Sequence, residues 1–262
     1  MNIEQLYSAG DLQGLHRAAA AQVAAAPTDA SARALFVQVL CMECEWERAA
    51  QQADALLKLN PASAMFCTTL TGLIAAEKQR ESYFAGQSRP DWVGAPPTYA
   101  EKLAQAVAAF AAGNAVSGST ACMEVLDALP SIGVTLTDGT HRDWLLDGDA
   151  RLSGVLECIC DGQYKLVDQA EVQSVEIATP RHPVEVVWPH VRLRFRGGEI
   201  LVGRMPGRYP HGGESDGKLL MAKETEWQEC ADGLHVGKGQ RCWNSDDGLH
   251  PIFTEKTLKF DS

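Results

Sequence analysis

The sequence predicts an α+β protein, in which a helical array is followed by a mostly antiparallel α+β domain. Apolar residues recur at helical spacing through the first half of the 262-residue chain. After Pro130 they alternate in short runs that are separated by glycine-containing turns, which is the pattern of antiparallel strands. We therefore predict a helical domain over residues 1–130 and an α+β domain over residues 131–262.

The helical half contains two stretches that align at a spacing of 34 residues. The clearest matched pairs are Asp11 with Glu45, Leu15 with Ala49, and Pro27 with Pro61. This is the period of the tetratricopeptide repeat, whose helix pairs bury their apolar faces against neighbouring pairs. We predict a tetratricopeptide-like array with repeats at about 10–43 and 44–77 and an irregular third helical pair at 98–130. Such arrays present a concave surface to peptides or helices, so a binding protein is favoured over an enzyme.

Helix-breaking residues define the predicted elements of this half. Pro27 and Asn60-Pro61 separate the helices of the two repeats, and one long helix is expected from about 63 to 85. The segment 87–97 contains three prolines and is predicted to be a turn-rich connection. Helices are expected again over 98–112 and 119–129.

Four runs in the second half have the alternation of strands. They cover residues 155–160, 172–177, 191–195 and 199–202. Arg196-Gly197-Gly198-Glu199 joins the last two runs and predicts a hairpin.

Charge and composition indicate where the protein works and what it does not bind. The net charge of −11 argues against nucleic acid as the main partner, because a phosphate backbone repels an acidic surface. The N-terminus lacks a basic and apolar signal segment, and no run reaches 18 apolar residues. We expect a cytoplasmic protein that does not insert into a membrane.

Eight cysteines are expected to be free thiols in that compartment. Cys41 and Cys44 form a CxxC motif without a second ligand pair, so we interpret them as structural, with a redox or metal role as the alternative. Cys158 and Cys160 lie on a predicted strand, and their side chains are expected to face opposite ways.

The densest polar cluster in the chain contains Asp147, Asp149 and Arg151. Three such groups, with His141 nearby, leave a metal-dependent hydrolase as an alternative function. The cluster has no glutamate at the later position of a calcium loop, which favours a turn in which the carboxylates accept backbone N–H groups and pair with Arg151. A second cluster, residues 204–213, is interpreted as a structural loop held by Arg208. We predict no catalytic residue, no metal and no cofactor.

Several short motifs are informative because they occur together in a particular order along the chain. They are Glu77-Lys78-Gln79-Arg80, residues 147–154 after Trp144, Gly162-Gln163-Tyr164, Val187-Trp188, Arg208-Tyr209-Pro210, Thr225-Glu226-Trp227 and Gly239-Gln240-Arg241. Together they resemble the ImpE/TagJ family of accessory proteins of bacterial type VI secretion systems. The chain departs from the family at residues 182–186 and at His211-Gly212.

The resemblance implies an adaptor without catalytic residues. Such proteins bind a helix of the small contractile-sheath subunit (TssB-like) and are thought to link the sheath to a ClpV-type unfoldase. The family motifs define a polar cluster of Asp147, Asp149, Arg151, Tyr164, Arg208, Tyr209, Thr225, Glu226, Trp227, Gln240 and Arg241. The helical half supplies candidate residues of the partner groove, namely Phe36, Leu40, Trp46, Phe66, Leu70 and Leu73, each of which internal packing between repeats would equally explain. A scaffold whose C-terminal domain mediates self-association is a further alternative.

Overall fold

The structure is a computed structural model that describes residues 2–210, 212–213, 216–231 and 233–261. The described part of the first half is mostly helical. Its helices are α1 (Ile3–Ala9), α2 (Leu12–Ala25), α3 (Ala30–Met42), α4 (Trp46–Leu59), α5 (Ala64–Phe84), α6 (Ala100–Ala111) and α7 (Ala115–Ala128). The long helix α5 has nearly the predicted bounds. Helix α7 begins four residues earlier than predicted, because the Asn114 side chain caps it by accepting from the Ser117 N–H.

The 34-residue spacing is visible in the helices. Helices α2 and α4 begin 34 residues apart, at Leu12 and Trp46, and so do α3 and α5, at Ala30 and Ala64. The Asp11 side chain caps α2 by accepting from the Gly14 N–H at 2.7 Å, and the Asp29 side chain caps α3.

The second half contains most of the strands, which confirms the α+β fold class. The strands are β1 (Asp91–Val93), β2 (Val134–Thr135), β3 (His141–Arg142), β4 (Leu145–Asp147), β5 (Val155–Cys160), β6 (Gln163–Asp168), β7 (Val172–Ile177), β8 (His190–Phe195), β9 (Ile200–Arg204), β10 (Thr225–Glu229), β11 (His235–Gly239), β12 (Cys242–Ser245), β13 (Gly248–Pro251) and β14 (Thr257–Phe260). A short helix, α8 (Gly217–Leu220), precedes β10.

Nine of these strands form the main sheet, in the order β1-β6-β5-β9-β8-β7-β14-β2-β3. Its pairs are antiparallel except for β1 with β6, and β8 and β9 form the predicted hairpin. Strands β10 and β11 pair with each other, and β13, β12 and β4 form a small third sheet.

Segment 87–97 differs from its prediction, because it contributes a strand as well as turns. Residues 91–93 form β1, which pairs in parallel with β6 at the edge of the main sheet. Three residues are too short to show a sequence period, and their hydrogen-bond partners come from a strand more than 70 positions later. The main sheet therefore extends into the first half of the chain.

The main sheet buries both of its faces around β5 and β6. Ile159, Tyr164 and Leu166 pack into the same core as the helical array. Leu156 and Cys158 face the other way, into a second core that includes Trp243. Helix α5 and the β5–β6 turn meet closely, since a Cβ added to Gly72 would lie 3.5 Å from the Cα of Gly162. The two halves of the chain thus share one apolar core.

Among the described residues, no helix combines the length and the apolar character needed to cross a bilayer.

Candidate functional site

A network of buried ions joins the helical array to the sheet. At its centre is the carboxylate of Glu157 on β5, which is fully buried. Arg80 of α5 donates from Nε to Glu157 Oε1 at 2.6 Å and from Nη2 to Oε2 at 3.1 Å. Arg241 donates from Nη1 to Glu157 Oε2 at 3.1 Å, and the Tyr164 hydroxyl donates to Oε1 at 2.8 Å. One carboxylate thus binds two arginines from distant parts of the chain.

Two further carboxylates complete the network. Glu77 accepts from Arg80 Nη1 at 2.9 Å and from the Trp188 indole N–H at 2.8 Å. Asp147 accepts from Arg241 Nε at 2.5 Å. The side chains of the network are nearly inaccessible to solvent, and buried ionic groups of this kind are costly to leave without partners. The network therefore fixes α5 against β5 and the end of β4.

Burial and charge act in opposite directions on these carboxyl groups. Burial alone would raise the pKa of Glu157, but the charges of Arg80 and Arg241 hold this pKa below its usual value. For Asp147 burial prevails over the charge of Arg241 and raises the pKa to about 6. Glu157 is thus held ionised, whereas Asp147 is easier to protonate than an ordinary aspartate.

Asp149 and Arg151 form a separate pair beside this network. Arg151 donates from Nε to Asp149 Oδ1 at 2.9 Å and from Nη2 to Oδ2 at 2.6 Å, and the Gly237 N–H donates to Oδ2 at 2.9 Å. A divalent cation at Asp147 and Asp149 would have to displace arginines from both carboxylates. The described residues contain no group of three or more His, Cys, Asp or Glu side chains arranged to hold a metal ion.

His141 does not join this cluster. Its side chain is 52% exposed, and its Nε2 lies 3.8 Å from Asp261. The geometry therefore gives the metal-dependent hydrolase no support.

Arg208 joins the sheet domain to the end of a helix. Its Nη1 donates to the carbonyl of Met42 at 2.7 Å and to the carbonyl of Leu220. Its Nη2 donates to the carbonyl of Cys41 at 3.3 Å and to Cys44 Sγ at 3.0 Å. Because the carbonyls at the C-terminus of α3 have no partners within the helix, a guanidinium there satisfies them and complements the helix dipole.

The remaining motif residues lie on and around the β10–β11 hairpin. The Tyr209 hydroxyl donates to the Cys242 carbonyl at 3.0 Å, and its ring meets Trp227 with centroids 5.5 Å apart. Thr225 donates to the Gln240 carbonyl at 2.8 Å. Glu226 is exposed. Most of the motif residues are thus occupied in holding the domain together.

An apolar groove lies between the helical array and the sheet domain. It encloses about 540 Å³. Its walls come from α3, from the first turns of α5, from the segment 182–188 and from the end of β9. The lining residues are Ala34, Gln38, Ala62, Met65, Phe66, Thr69, Leu70, Leu73, His182, Val184, Glu185, Trp188 and Arg204. Met65 is 83% exposed at the rim, which leaves the groove open to a partner.

Three of the six predicted groove residues line this groove, namely Phe66, Leu70 and Leu73. The structure does not bring Phe36, Leu40 and Trp46 to it. These side chains are not among those that line the groove, and they pack inside the core between the repeats, where helical periodicity alone cannot distinguish an inner face from a groove. Trp46 stacks on Trp188 with ring centroids 5.7 Å apart, so it supports the groove from behind.

Sequence reasoning missed two residues that organise the site. The alternation around Glu157 predicts a strand, but one carboxylate in an otherwise apolar run also indicates a buried partner. Trp188 belongs to a family motif, and in the structure it contacts both the ion network and the groove.

The eight cysteines are free thiols. Burial raises the pKa of the Cys44 thiol to about 11 against the opposing charge of Arg208, which is the environment of an unreactive thiol. The expectation for Cys158 and Cys160 was wrong, because residues two apart on a strand share a face. A hydrogen bond from Cys158 lowers the pKa of Cys160 to about 7.

Comparison with known proteins places the second half of the chain in a family. Residues 139–259 match the family model described as ImpE protein. This region is an ImpE domain. It contains Asp147, Glu157 and Arg241 of the ion network, whereas Glu77 and Arg80 come from the helical array that precedes it.

Two full-length relatives extend the similarity beyond the ImpE domain. The chain is 29% identical over 262 residues to the type VI secretion system accessory component TagJ of Pseudomonas aeruginosa, covering 100% of this chain and 92% of that protein. It also superposes on the crystal structure of protein VPA1032 from Vibrio parahaemolyticus with a TM-score of 0.90 and 25% identity, covering 100% of this chain and 98% of the other.

Proposed function

We propose that this protein is a non-catalytic adaptor of a type VI secretion system that binds a helix of the small contractile-sheath subunit in the groove. The groove is the observation that carries the proposal, because it is apolar, open at Met65 and built by a helical array of the peptide-binding kind. The similarity to TagJ, a type VI secretion accessory component, supports the biological setting.

The dimensions of the groove suit a helix. The residues of α5 that line it run from Met65 to Leu73, eight positions and therefore about 12 Å of helix length. An amphipathic helix docked beside them would place anchor residues at i, i+3 or i+4, and i+7 over about two turns. Met65 and Phe66 at the open end can adapt to such anchors, since a methionine side chain is flexible and polarizable.

The proposal includes a second partner, the ClpV-type unfoldase. The family resemblance supports the interaction with the unfoldase. The groove supports only the interaction with the small sheath subunit. In the proposed arrangement the adaptor holds the small sheath subunit while the unfoldase engages the sheath, so a ternary complex of the three proteins should be recoverable.

The test uses two exposed apolar residues on different helices. Met65→Asp places a charge at the rim of the groove, and Val116→Asp places the same charge on α7, at a residue that is 67% exposed and does not line the groove. Calorimetric titration of the full chain with the purified small sheath subunit should show binding that Met65→Asp weakens roughly 10-fold or more, because a carboxylate would be desolvated against the partner. Val116→Asp should bind like the wild type.

Two results would refute the adaptor proposal. One is the absence of wild-type binding at tens of micromolar. The other is equal affinity of the Met65→Asp and Val116→Asp variants, which would place the partner elsewhere on the molecule.

A further inference from the structure

The face of the main sheet that packs on the helical array continues beyond the array without a cover. Arg204 of β9 lies opposite Ile159 of β5, so the two side chains are on the same face, and Ile159 is buried in the core shared with the helices. Ile200 and Val202 share this face with Arg204, because alternate residues of a strand point the same way. At Ile200 and Val202 the sheet therefore extends beyond the helical array.

The uncovered surface combines arginines with aliphatic side chains. Arg194 of β8 lies opposite Ile200, and Arg192 lies opposite Val202. All four are exposed, and Val202 is 69% exposed. We call these four residues the β8–β9 shelf. It adjoins the groove through Arg204, which lines the groove and lies two positions from Val202, about 7 Å along the strand.

The charge of the shelf is opposite to that of the whole protein. The chain has a net charge of −11, yet neither Arg192 nor Arg194 forms an ion pair with a described residue. The nearest opposing group in register is Glu176 of β7, opposite Arg192. Arginine beside exposed aliphatic residues is a composition enriched at protein interfaces.

The strand edge of the shelf is also open. In the described residues β9 pairs with β5 at Arg204 alone, so Ile200 and Val202 have no strand partner on that side. Proteins usually shield such edges from unwanted pairing. An exposed edge, two exposed aliphatic residues and two arginines that form no ion pair with a described residue therefore coincide beside the groove.

We propose that the polypeptide segment bound in the groove continues across the β8–β9 shelf, where its acidic side chains pair with Arg192 and Arg194 and its aliphatic side chains cover Ile200 and Val202. This inference rests on the proposed function, and it adds the chemistry of the partner: an apolar helix followed or preceded by an acidic segment. A short acidic peptide fits this surface better than a nucleic acid, because the surrounding protein is strongly acidic and repels an extended polyanion.

The test combines charge reversal with salt titration on the full chain. Arg192→Glu with Arg194→Glu reverses the shelf. Arg17→Glu with Lys58→Glu makes the same charge change at exposed residues of α2 and α4 that neither line the groove nor belong to the shelf. The probe is the purified small sheath subunit, titrated at about 50 and about 300 mM NaCl. The shelf variant should bind roughly 10-fold more weakly than the control at the lower salt concentration and should lose most of the salt dependence of the wild type.

The possible results separate this inference from the function on which it rests. One possible result is that Met65→Asp loses affinity while the shelf variant keeps the affinity and salt dependence of the wild type. This result overturns the proposed role of the shelf and leaves the proposed role of the groove intact. Absence of any binding by the wild type overturns both. Binding of the wild type to phosphatidylserine vesicles that the shelf variant loses, with unchanged affinity for the sheath subunit, assigns the shelf to a membrane surface and overturns the inference as well.

Discussion

At the scale of single residues, Glu157 connects parts of the chain that are far apart in sequence. It is buried on β5 and is shared by Arg80 and Arg241, which approach from different halves of the chain. Paired charges in a protein interior offer limited net stabilisation, but removing one partner leaves the others uncompensated. Loss of the Glu157 carboxylate would therefore leave both arginines short of a countercharge.

Replacing the central carboxylate should strongly destabilise the protein. We expect Glu157→Gln to lower the free energy of unfolding by about 3–5 kcal/mol, because two buried guanidinium groups lose their shared countercharge. Urea denaturation at pH 7 measures this change. A variant that does not fold at all would also agree with the prediction, because its loss of stability would exceed the stability of the wild type. Glu226→Gln makes the same change at an exposed residue of β10 and should stay within about 0.5 kcal/mol of the wild type. A loss below 1 kcal/mol for Glu157→Gln would contradict the role of the network.

Asp147 should give the protein a distinctive pH dependence. Because burial raises its folded-state pKa from 3.8 to about 6, the folded chain binds this proton more tightly than the unfolded chain. Ionisation of Asp147 therefore costs stability as the pH rises from about 4 to about 6, and the cost persists above pH 6. At about 1.4 kcal/mol per pKa unit it amounts to about 3 kcal/mol.

The measurement is the difference in unfolding free energy between Asp147→Asn and the wild type from pH 4 to pH 7. Asparagine keeps the site neutral, so the variant should gain on the wild type by about 3 kcal/mol between pH 4 and pH 6. Glu157 has the opposite dependence, because its lowered pKa makes its stabilisation disappear as acid protonates it, and this carboxyl group is present in both proteins. Asp143→Asn, at an exposed residue, serves as the control. A difference that is constant with pH would show that Asp147 has an ordinary pKa.

At the scale of elements, the 34-residue repeat explains an unusual backbone position. Gly10 and Cys44 occupy the same place in successive repeats, two residues before the next helix begins, and both have positive φ, at 75° and 60°. Glycine adopts this conformation without strain, whereas a residue with a side chain is strained there. Cys44 is held in it by its hydrogen bond from Arg208. In the second repeat, the positive-φ position is therefore occupied by a residue with a side chain, and the sheet domain provides its hydrogen-bond partner, Arg208.

Adding a methyl group at Gly10 should be unfavourable. We expect Gly10→Ala to lower the free energy of unfolding by about 1 kcal/mol or more, from the left-handed backbone and from contacts at 3.1 and 3.3 Å with Lys218 and Lys223. Gly113→Ala isolates the backbone contribution, because Gly113 has the same φ of 75° and nothing within 4 Å of the added Cβ. Thermal unfolding compares the two variants. A neutral or stabilising effect of Gly113→Ala would refute the strain argument.

At the scale of the whole molecule, the helical array and the ImpE domain are joined by three kinds of contact. They share the core around Ile159 and Tyr164, the ion network, and the parallel pairing of β1 with β6. The groove exists only because segment 182–188 of the ImpE domain lies against α3 and α5. Neither half would form this groove by itself.

Separating the halves should therefore prevent folding of the second. Residues 131–262 produced alone would leave Glu157 without Arg80, β6 without β1, and the apolar side chains of Ile159, Tyr164 and Leu166 in water. We expect near-UV circular dichroism of this fragment to show no cooperative thermal transition, whereas the full chain should show one. A fragment that unfolds cooperatively near the midpoint of the full chain would show that the ImpE domain is independent.

Much of the architecture was predictable because it is local. Hydrophobic period, helix caps and glycine turns depend on residues within a few positions of one another, and they place α5, α6, β5, β7 and the β8–β9 hairpin close to their predicted bounds. The other strands, namely β1 to β4, β6 and β10 to β14, and the early start of α7 were missed. Strand β1 depends on a distant partner, and the α7 cap is one asparagine that resembles any loop residue.

The sequence by itself determined the repeat, the α+β class and the family to which residues 139–259 belong. The tertiary structure alone decided which apolar side chains face a groove and which face a core. Phe36 and Phe66 have similar periodicity, yet Phe36 is buried between repeats and Phe66 lines the groove. The tertiary structure also brings together Glu157, Arg80 and Arg241, whose positions in the sequence are up to 161 residues apart. Contacts across such separations depend on how the elements pack, and neither local propensity nor spacing encodes that packing directly.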